Sequence, residues 1–364
     1  MPQADDGLKI FLPVGVSSII FVCMMGNRMS KRVGLGLLLF SFAFLSGCKN
    51  GRGKDDKSAA GDTLSVLGNF DLLISEDPDN PELYFQRAQY HFEQENVFSG
   101  TADVQKAIQL DSTQSNYFVL LSDFNFVMRK IPEVKINLSK ALSLDSNNTE
   151  ALLKFAEYQL YLQDYPLVFG YVNRALKINA YLAKGYFLKG MAYSEMKDTA
   201  LAVSSFQTCV EQDPDYFHAY MQLGLLFAAK NDPICVTYFN NAIRVNPEKP
   251  EAHYALGYFY QEHGQYNEAL ACYDNMLKVS PGNASGLYNK GYVYLVYLKN
   301  YDEAVRFFTE AIKVEPRYAD AYYNRGFSYE LKQNRQAAKT DYENALRIHP
   351  EHNLAQKGLI RVKN

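Results

Sequence analysis

The chain has 364 residues, with 37 Lys and Arg against 40 Asp and Glu and a formal charge of −3. Without a basic excess, or a run of cations interleaved with aromatics, nucleic acid is excluded as the main partner. Length alone suggests two or three domains, unless one unit is copied along the chain.

Residues 1–28 contain an apolar stretch, Ile10 to Met25. It reads either as an extra membrane anchor or as an extension upstream of the native start, and the second reading is preferred because residues 29–48 carry a complete leader of their own. Met29-Ser30-Lys31-Arg32 supplies a basic start, Val33 to Leu45 a short apolar run, and Leu45-Ser46-Gly47-Cys48 small residues at a cut site. That is the pattern of a secretory signal over 29–47, too short to span a membrane comfortably. Leu-Ser-Gly-Cys also resembles the lipobox of bacterial lipoproteins. The resemblance implies lipidation at Cys48, a mature chain beginning there and membrane attachment through a lipid anchor; an ordinary signal peptide that contains a cysteine is the alternative. Lys49-Asn50, with no aspartate after the cysteine, is similar to lipoproteins sorted to the outer membrane, which implies a place in the bacterial cell envelope facing the periplasm. Loss of the leader removes Lys9, Arg28, Lys31 and Arg32 against Asp5 and Asp6, moving the charge from −3 to −5. Residues 48–61 are small and charged after the cysteine and read as a flexible tether with a reach of roughly 20 Å.

Leu64 to Pro78 reads as a lone second helix within a half repeat over 62–80, because Pro78 lies one period before Ser112. The period itself is carried by Pro214, Pro247, Pro281, Pro316 and Pro350, separated by 33, 34, 35 and 34 residues. Upstream of each lies a glycine: Gly190, Gly224, Gly257, Gly291 and Gly326. Alanines follow at a near-constant offset (Ala202, Ala269, Ala304, Ala338), Ala304 one residue late in a copy one residue longer. Small residues there permit close helix approach. Tyr193, Phe227, Tyr260, Tyr294 and Tyr329 on a first helix, with Phe206, Phe239, Tyr273, Phe308 and Tyr342 on a second, fill the space between. The proline stops the second helix.

Three earlier copies keep the step with Ala88, Ser122 and Ala156 in place of the glycine and Ser112, Ser146 and Ala180 in place of the proline. Ala107, Ala141 and Ala175 keep a small residue on the second helix. Eight copies result, over 81–114, 115–148, 149–182, 183–216, 217–249, 250–283, 284–318 and 319–352. Leu354 to Val362 reads as a short capping helix within 353–364, covering an end the array would otherwise expose.

This wording, clearest over Gly257 to Ala269, resembles the tetratricopeptide repeat family. The resemblance covers about three quarters of the chain and implies an all-α fold, a right-handed α-solenoid of helix-turn-helix repeats. It also implies a concave groove lined by first helices, at positions three before and one after the glycine offset. Those positions hold Phe187 and Met191, Met221 and Leu225, Tyr254 and Tyr258, Tyr288 and Tyr292, then Tyr323 and Phe327. Tyrosine offers wide contact at low entropy cost and can hydrogen-bond, which suits a peptide or protein partner. Packing of the same rings between adjacent first helices is the structural alternative. Members that clamp a chaperone tail place cations here, whereas Tyr254, Tyr258 and Asp320 occupy the equivalent places, so Asn289 and Asn324 alone would not hold a carboxylate.

No catalytic constellation emerges, and no enzyme activity, cofactor or metal is expected. His349 and His352 flank Pro350 in what reads as a polar turn, while His218, His253 and His263 lack a paired carboxylate and nucleophile. The glycines follow the repeat and form no phosphate-cradling loop. Cys209, Cys235 and Cys272 are odd in number and without metal-ligand spacing, and Cys209 reads as a small buried residue. The expected function is a protein-protein interaction scaffold or assembly factor of the envelope, open to self-association through its end repeats. A binding module for a glycan or peptidoglycan ligand is the alternative, since stacked tyrosines also hold sugar rings.

Overall fold

The structure is a computed structural model describing residues 58–363, with side chains from position 66 onward. Residues 1–28, the signal 29–47, Cys48 and most of the tether lie outside the described residues. Eighteen α-helices and one π turn, with no strand among the described residues, form two compact units that divide after Pro214.

In the first unit, α1 (Ser58–Glu76) precedes four helix pairs: α2 and α3 (Pro81–Glu93, Val97–Leu110), α4 and α5 (Ser115–Val127, Ile131–Leu144), α6 and α7 (Thr149–Tyr161, Tyr165–Ile178), and α8 and α9 (Ala183–Glu195, Thr199–Gln212). The second unit holds α10 and α11 (Phe217–Ala228, Ile234–Val245), α12 and α13 (Pro250–Glu262, Tyr266–Val279), α14 (Ala284–Tyr292) continued by the π turn Val293–Tyr297 and paired with α15 (Tyr301–Val314), α16 and α17 (Ala319–Leu331, Arg335–Ile348), and α18 (Asn353–Lys363). Helix α1 starts inside the stretch read as tether, so that reading runs four residues too far. Ala59 and Ala60, the best helix formers, extend the helix backwards.

Short polar side chains set the helix starts. The Asn80 side chain accepts from the Glu82 N–H, with Pro81 in the first turn, and Asn148, Asp164, Asp198, Asn283, Asn300 and Asn334 cap their helices in the same way. Helix stops are more uniform than the prolines suggest. Asp111, Asp145 and Asn179 leave the helix in extended conformation and accept from the backbone N–H two residues on. This Asx turn makes the stop in copies that lack the proline.

Each first helix ends on a residue in the left-handed region: Glu95, Arg129, Gln163, Lys197, Asn231, Gly264, Lys299 and Gln333, with φ between 52° and 75°. At the first, the Asn96 N–H donates to the His91 carbonyl at 2.8 Å and the Glu95 N–H to Phe92 at 3.1 Å, a Schellman closure. Only one of the eight is glycine.

Packing within a pair turns on one contact. A Cβ on Gly190 or Gly224 would sit 2.5 Å from the ring of Phe206 or Phe239, and one on Gly291 2.8 Å from Phe308. The five second-helix rings are all but fully buried. In the first three copies the same second-helix position holds Val104, Leu138 and Val172, and the smaller side chain leaves room for Ala88, Ser122 and Ala156 opposite. Between the first two copies the roles reverse, with the Phe124 ring of α4 lying over Gly100 of α3. Bidentate ion pairs tie the outermost copies internally, Arg87 to Asp103 at 2.7 and 2.6 Å and Arg325 to Asp341 at 2.8 Å through both nitrogens.

The extra residue of the seventh copy lies in its first helix. There the Leu298 N–H reaches back five residues to the Val293 carbonyl at 3.1 Å.

Turns and ring contacts can be tested through stability. Lys197→Gly and Gln333→Gly, both at exposed left-handed positions, should each stabilise by about 0.5–1 kcal/mol, and Gly264→Ala should cost about 1 kcal/mol. Urea denaturation decides this, and midpoints unchanged from the parent would mean that the turns carry no strain. Gly224→Ala should cost about 1–3 kcal/mol through overpacking on Phe239. The loss should shrink in a Phe239→Leu background; a penalty indifferent to that change would locate the strain elsewhere.

Candidate functional site

The ten predicted groove positions divide into two sets. Phe187 and Met191 on α8 are buried in the first unit, where Phe187 packs against Phe206 with ring centroids 5.6 Å apart. In the second unit Met221, Tyr292 and Tyr323 are buried, while Leu225, Tyr254, Tyr258, Tyr288 and Phe327 are half-buried. Half of the set therefore serves as core, as the structural alternative anticipates.

The remaining rings are ordered by stacking four residues apart. Tyr254 stacks on Tyr258 at 6.4 Å and 13°, Tyr288 on Tyr292 at 6.4 Å and 25°, and Tyr323 on Phe327 at 6.3 Å and 3°. Residues i and i+4 share a helix face, so α12, α14 and α16 each present one such pair. The earlier ring of each pair also turns inward. Tyr254, Tyr288 and Tyr323 meet the second-helix rings Tyr273, Phe308 and Tyr342 at 6.5, 5.6 and 5.9 Å.

A hydrogen bond links two consecutive copies through one of these phenols. The Asn324 amide donates to the Tyr288 oxygen at 2.8 Å. Asn324 is therefore committed to a neighbouring repeat rather than to a ligand. Burial raises the Tyr254 phenol, and the neighbouring Asn289 side chain partly offsets the rise. Burial likewise raises Tyr288 well above its ordinary value, with Tyr318 and Asp320 adding to the effect. Tyr258 is pushed up to about 12 by burial, then by Glu262 and Tyr254.

Three participants lie outside the repeat offsets that mark the groove in the sequence. Tyr297, turned by the π turn, stacks on Tyr266 at 4.5 Å and meets Tyr292 edge-on at 6.0 Å. Tyr318 stacks on Tyr288 at 4.9 Å. Glu262 contributes the nearest carboxylate field to Tyr258 and adds to that on Tyr292. The one-residue excess of the seventh copy was the available signal for Tyr297. In the first unit, a cleft of about 280 Å³ is lined by α2, α4 and α6, the copies without the glycine-proline wording.

The histidines find structural partners. His352 bonds Asp320 at 3.1 Å and accepts from the Ala355 N–H at 3.2 Å, its ring 5.9 Å from that of His349. Among the described residues no three His, Cys, Asp or Glu side chains are grouped to hold a metal ion. Cys209, Cys235 and Cys272 are free and buried, and burial pushes the Cys272 thiol up to about 11.

Stacked pairs of antiparallel helices at a 34-residue step define a helical repeat protein, whose recognition surface is built from many copies of one helix face. Family profiles described as tetratricopeptide repeat match residues 183–216, 238–271, 259–304 and 319–352, and one described as TPR repeat matches 295–333. The chain belongs to the tetratricopeptide repeat family. It is 32% identical over 100 residues to tetratricopeptide repeat protein 37 of Xenopus laevis, covering 26% of this chain and 6% of that protein. It is 23% identical over 127 residues to anaphase-promoting complex subunit 3 of Schizosaccharomyces pombe, covering 34% and 19%. The chain thus spans a small part of the length of these relatives. Among solved structures, the C-terminal part of a TPR repeat-containing protein from Cytophaga hutchinsonii superposes with a TM-score of 0.57 at 20% identity, covering 66% of this chain and 99% of that one. The APC/C Cut9–Hcn1 hetero-tetramer gives 0.50 at 15% identity, covering 82% and 59%. Both likenesses support the all-helical repeat fold.

Alkaline titration tests the burial of the tyrosine stripe. The folded pKa of Tyr258, about 12, lies above the unfolded 10.0, so its contribution to stability is complete below pH 10 and is lost as pH climbs towards 12. Ultraviolet absorbance should show a class of phenols ionising late, together with a fall in helicity. Ionisation of every tyrosine near pH 10 with the helices intact would contradict the packing.

Proposed function

We propose that the chain is a protein-interaction scaffold without enzymatic activity, which holds an extended or helical polypeptide against the tyrosine stripe of its second unit. The supporting observation is the threefold recurrence of stacked first-helix pairs, in which Tyr258 and Phe327 keep solvent-accessible surface while Tyr254, Tyr288 and Tyr323 are fixed against second-helix rings. Rings already held by packing lose little freedom on binding, so contact made there is kept as affinity. The lipobox resemblance at Leu45 to Cys48 adds a lipid anchor on Cys48 and a place in the bacterial envelope, at the outer membrane facing the periplasm.

The contact positions to test are the accessible ones. Substituting Tyr292 or Tyr323 would open the core, whereas Tyr258→Ala/Phe327→Ala, at half-buried positions, should lower the melting temperature but leave native helicity at 25 °C close to the parent. Crosslinked capture from the native envelope with this variant should lose defined proteins that the parent retains. An identical set of captured proteins from both forms would refute the stripe as a protein site, and saturable glycan titration would then favour a glycan ligand. Cys48→Ser should abolish incorporation of labelled fatty acid; incorporation that persists would place the anchor elsewhere.

A further inference from the structure

The cleft of the first unit has a chemistry unlike that of the tyrosine stripe. Its apolar wall comprises Phe85 and Phe92 of α2 and Leu120 of α4, with Gln89 and Asn116 at the rim. Both rings are held in place, Phe85 against Tyr117 at 4.7 Å and Phe92 edge-on to Phe124 at 5.2 Å. The remaining lining is acidic: Glu93 of α2, Asp123 of α4 and Glu150 of α6. Among the described residues, no lysine or arginine lines it.

Cations nearby are already engaged. Lys154 reaches Asp123 at 2.8 Å and Glu157 at 3.8 Å, and Glu157 also takes Lys184 at 2.9 Å. Asp123, Glu150 and Glu157 thus face two ammonium groups, and Glu93 adds a further carboxylate across the cleft. Burial pushes the Asp123 and Glu150 carboxyls upward, Lys154 and Lys184 oppose the rise, and the neighbouring carboxylates add to it. Four carboxylates against two ammonium groups leave the cleft net negative, which favours an incoming positive charge.

We propose that this cleft receives a cationic side chain, the lysine or arginine of a partner polypeptide. Its volume, about 280 Å³ and just below the roughly 300–1,000 Å³ of small-molecule pockets, fits one long side chain rather than a whole ligand. Aromatic walls take the methylene stem and attract the cation over their faces, while the carboxylates accept its hydrogen bonds. A metal ion is disfavoured, because the described residues bring no three carboxylates or imidazoles within reach of one centre. The site is built from different helices than the tyrosine stripe and goes beyond it, adding a charge requirement that the stripe does not impose.

Fluorescence anisotropy with labelled short peptides differing only in a central arginine, lysine or norleucine tests it on the purified repeat-bearing chain. Arginine and lysine peptides should bind saturably, norleucine at least about tenfold more weakly, and the difference should shrink as salt rises. Glu93→Gln/Glu150→Gln, isosteric changes in the cleft lining that leave the core intact, should weaken the arginine peptide about tenfold. Gln89→Arg, which places a tethered cation at the mouth, should block it. Tyr258→Ala/Phe327→Ala should leave this binding unchanged, so that failure of the stripe and failure of the cleft are separable. Equal binding of arginine and norleucine peptides, no saturable binding, parental affinity in both cleft variants, or loss in the stripe variant would each overturn the proposal.

Discussion

The last five copies of this array depend on an aromatic ring of a second helix lying directly against the backbone of a first helix. Phe206, Phe239, Tyr273, Phe308 and Tyr342 can occupy those places only because glycine stands opposite, since a Cβ would come within about 2.5–3.1 Å of each ring. A buried aromatic side chain is worth roughly 1.5–3 kcal/mol by area. Repeating the contact in the last five copies makes their stability a sum of similar local terms plus neighbour terms. The end of the second unit obeys the same rule from the other side. Gly358 of α18 faces the outer surface of the Tyr342 ring at 2.5 Å from its hypothetical Cβ, so the capping helix closes the array by reusing the contact that builds it.

The copies that look degenerate obey the constraint with different residues. Where Val104, Leu138 or Val172 replaces the ring, the first helix needs only a small residue, and Ala88, Ser122 and Ala156 suffice. Where a proline is missing, Asp111, Asp145 and Asn179 stop the helix by accepting a backbone N–H. Glycine with a ring, and alanine or serine with an aliphatic side chain, are two volume-matched solutions to one packing problem.

The same constraint decides which parts of the structure were legible in the sequence. Fold class and repeat phase were readable because glycine, ring and proline have no substitutes in the later copies and leave a fixed spacing. The left-handed turn was invisible in seven of eight copies, because Lys, Arg, Gln, Glu and Asn hold it there without a glycine to mark it. The groove is placed by family offset, and burial cannot be read in that way. Phe187, Met191, Met221, Tyr292 and Tyr323 have the chemistry of contact residues, yet their exposure is set by how closely neighbouring first helices pack, which one position's identity does not encode. Asn324 likewise has the look of part of a ligand clamp and is a donor to Tyr288. The acidic cleft lies among copies whose weak repeat wording leaves their first helices unmarked.

The seventh copy shows how strictly the ring contact is kept. An inserted residue could have displaced α15 along its axis, which would have moved Phe308 away from Gly291. Instead the ring remains 2.8 Å from that glycine's hypothetical Cβ, and the excess is taken up before the turn, where Val293–Tyr297 widens into a π turn. One residue added without loss of register must rotate the side chains beyond it, and Tyr297 is swung against Tyr266 and Tyr292 as a result. The insertion therefore leaves the core unchanged and alters the aromatic surface beside Tyr258 and Glu262. Variation of this kind is inexpensive for a repeat protein, because the ring and glycine fix the scaffold while the end of a first helix remains free to change what the surface recognises.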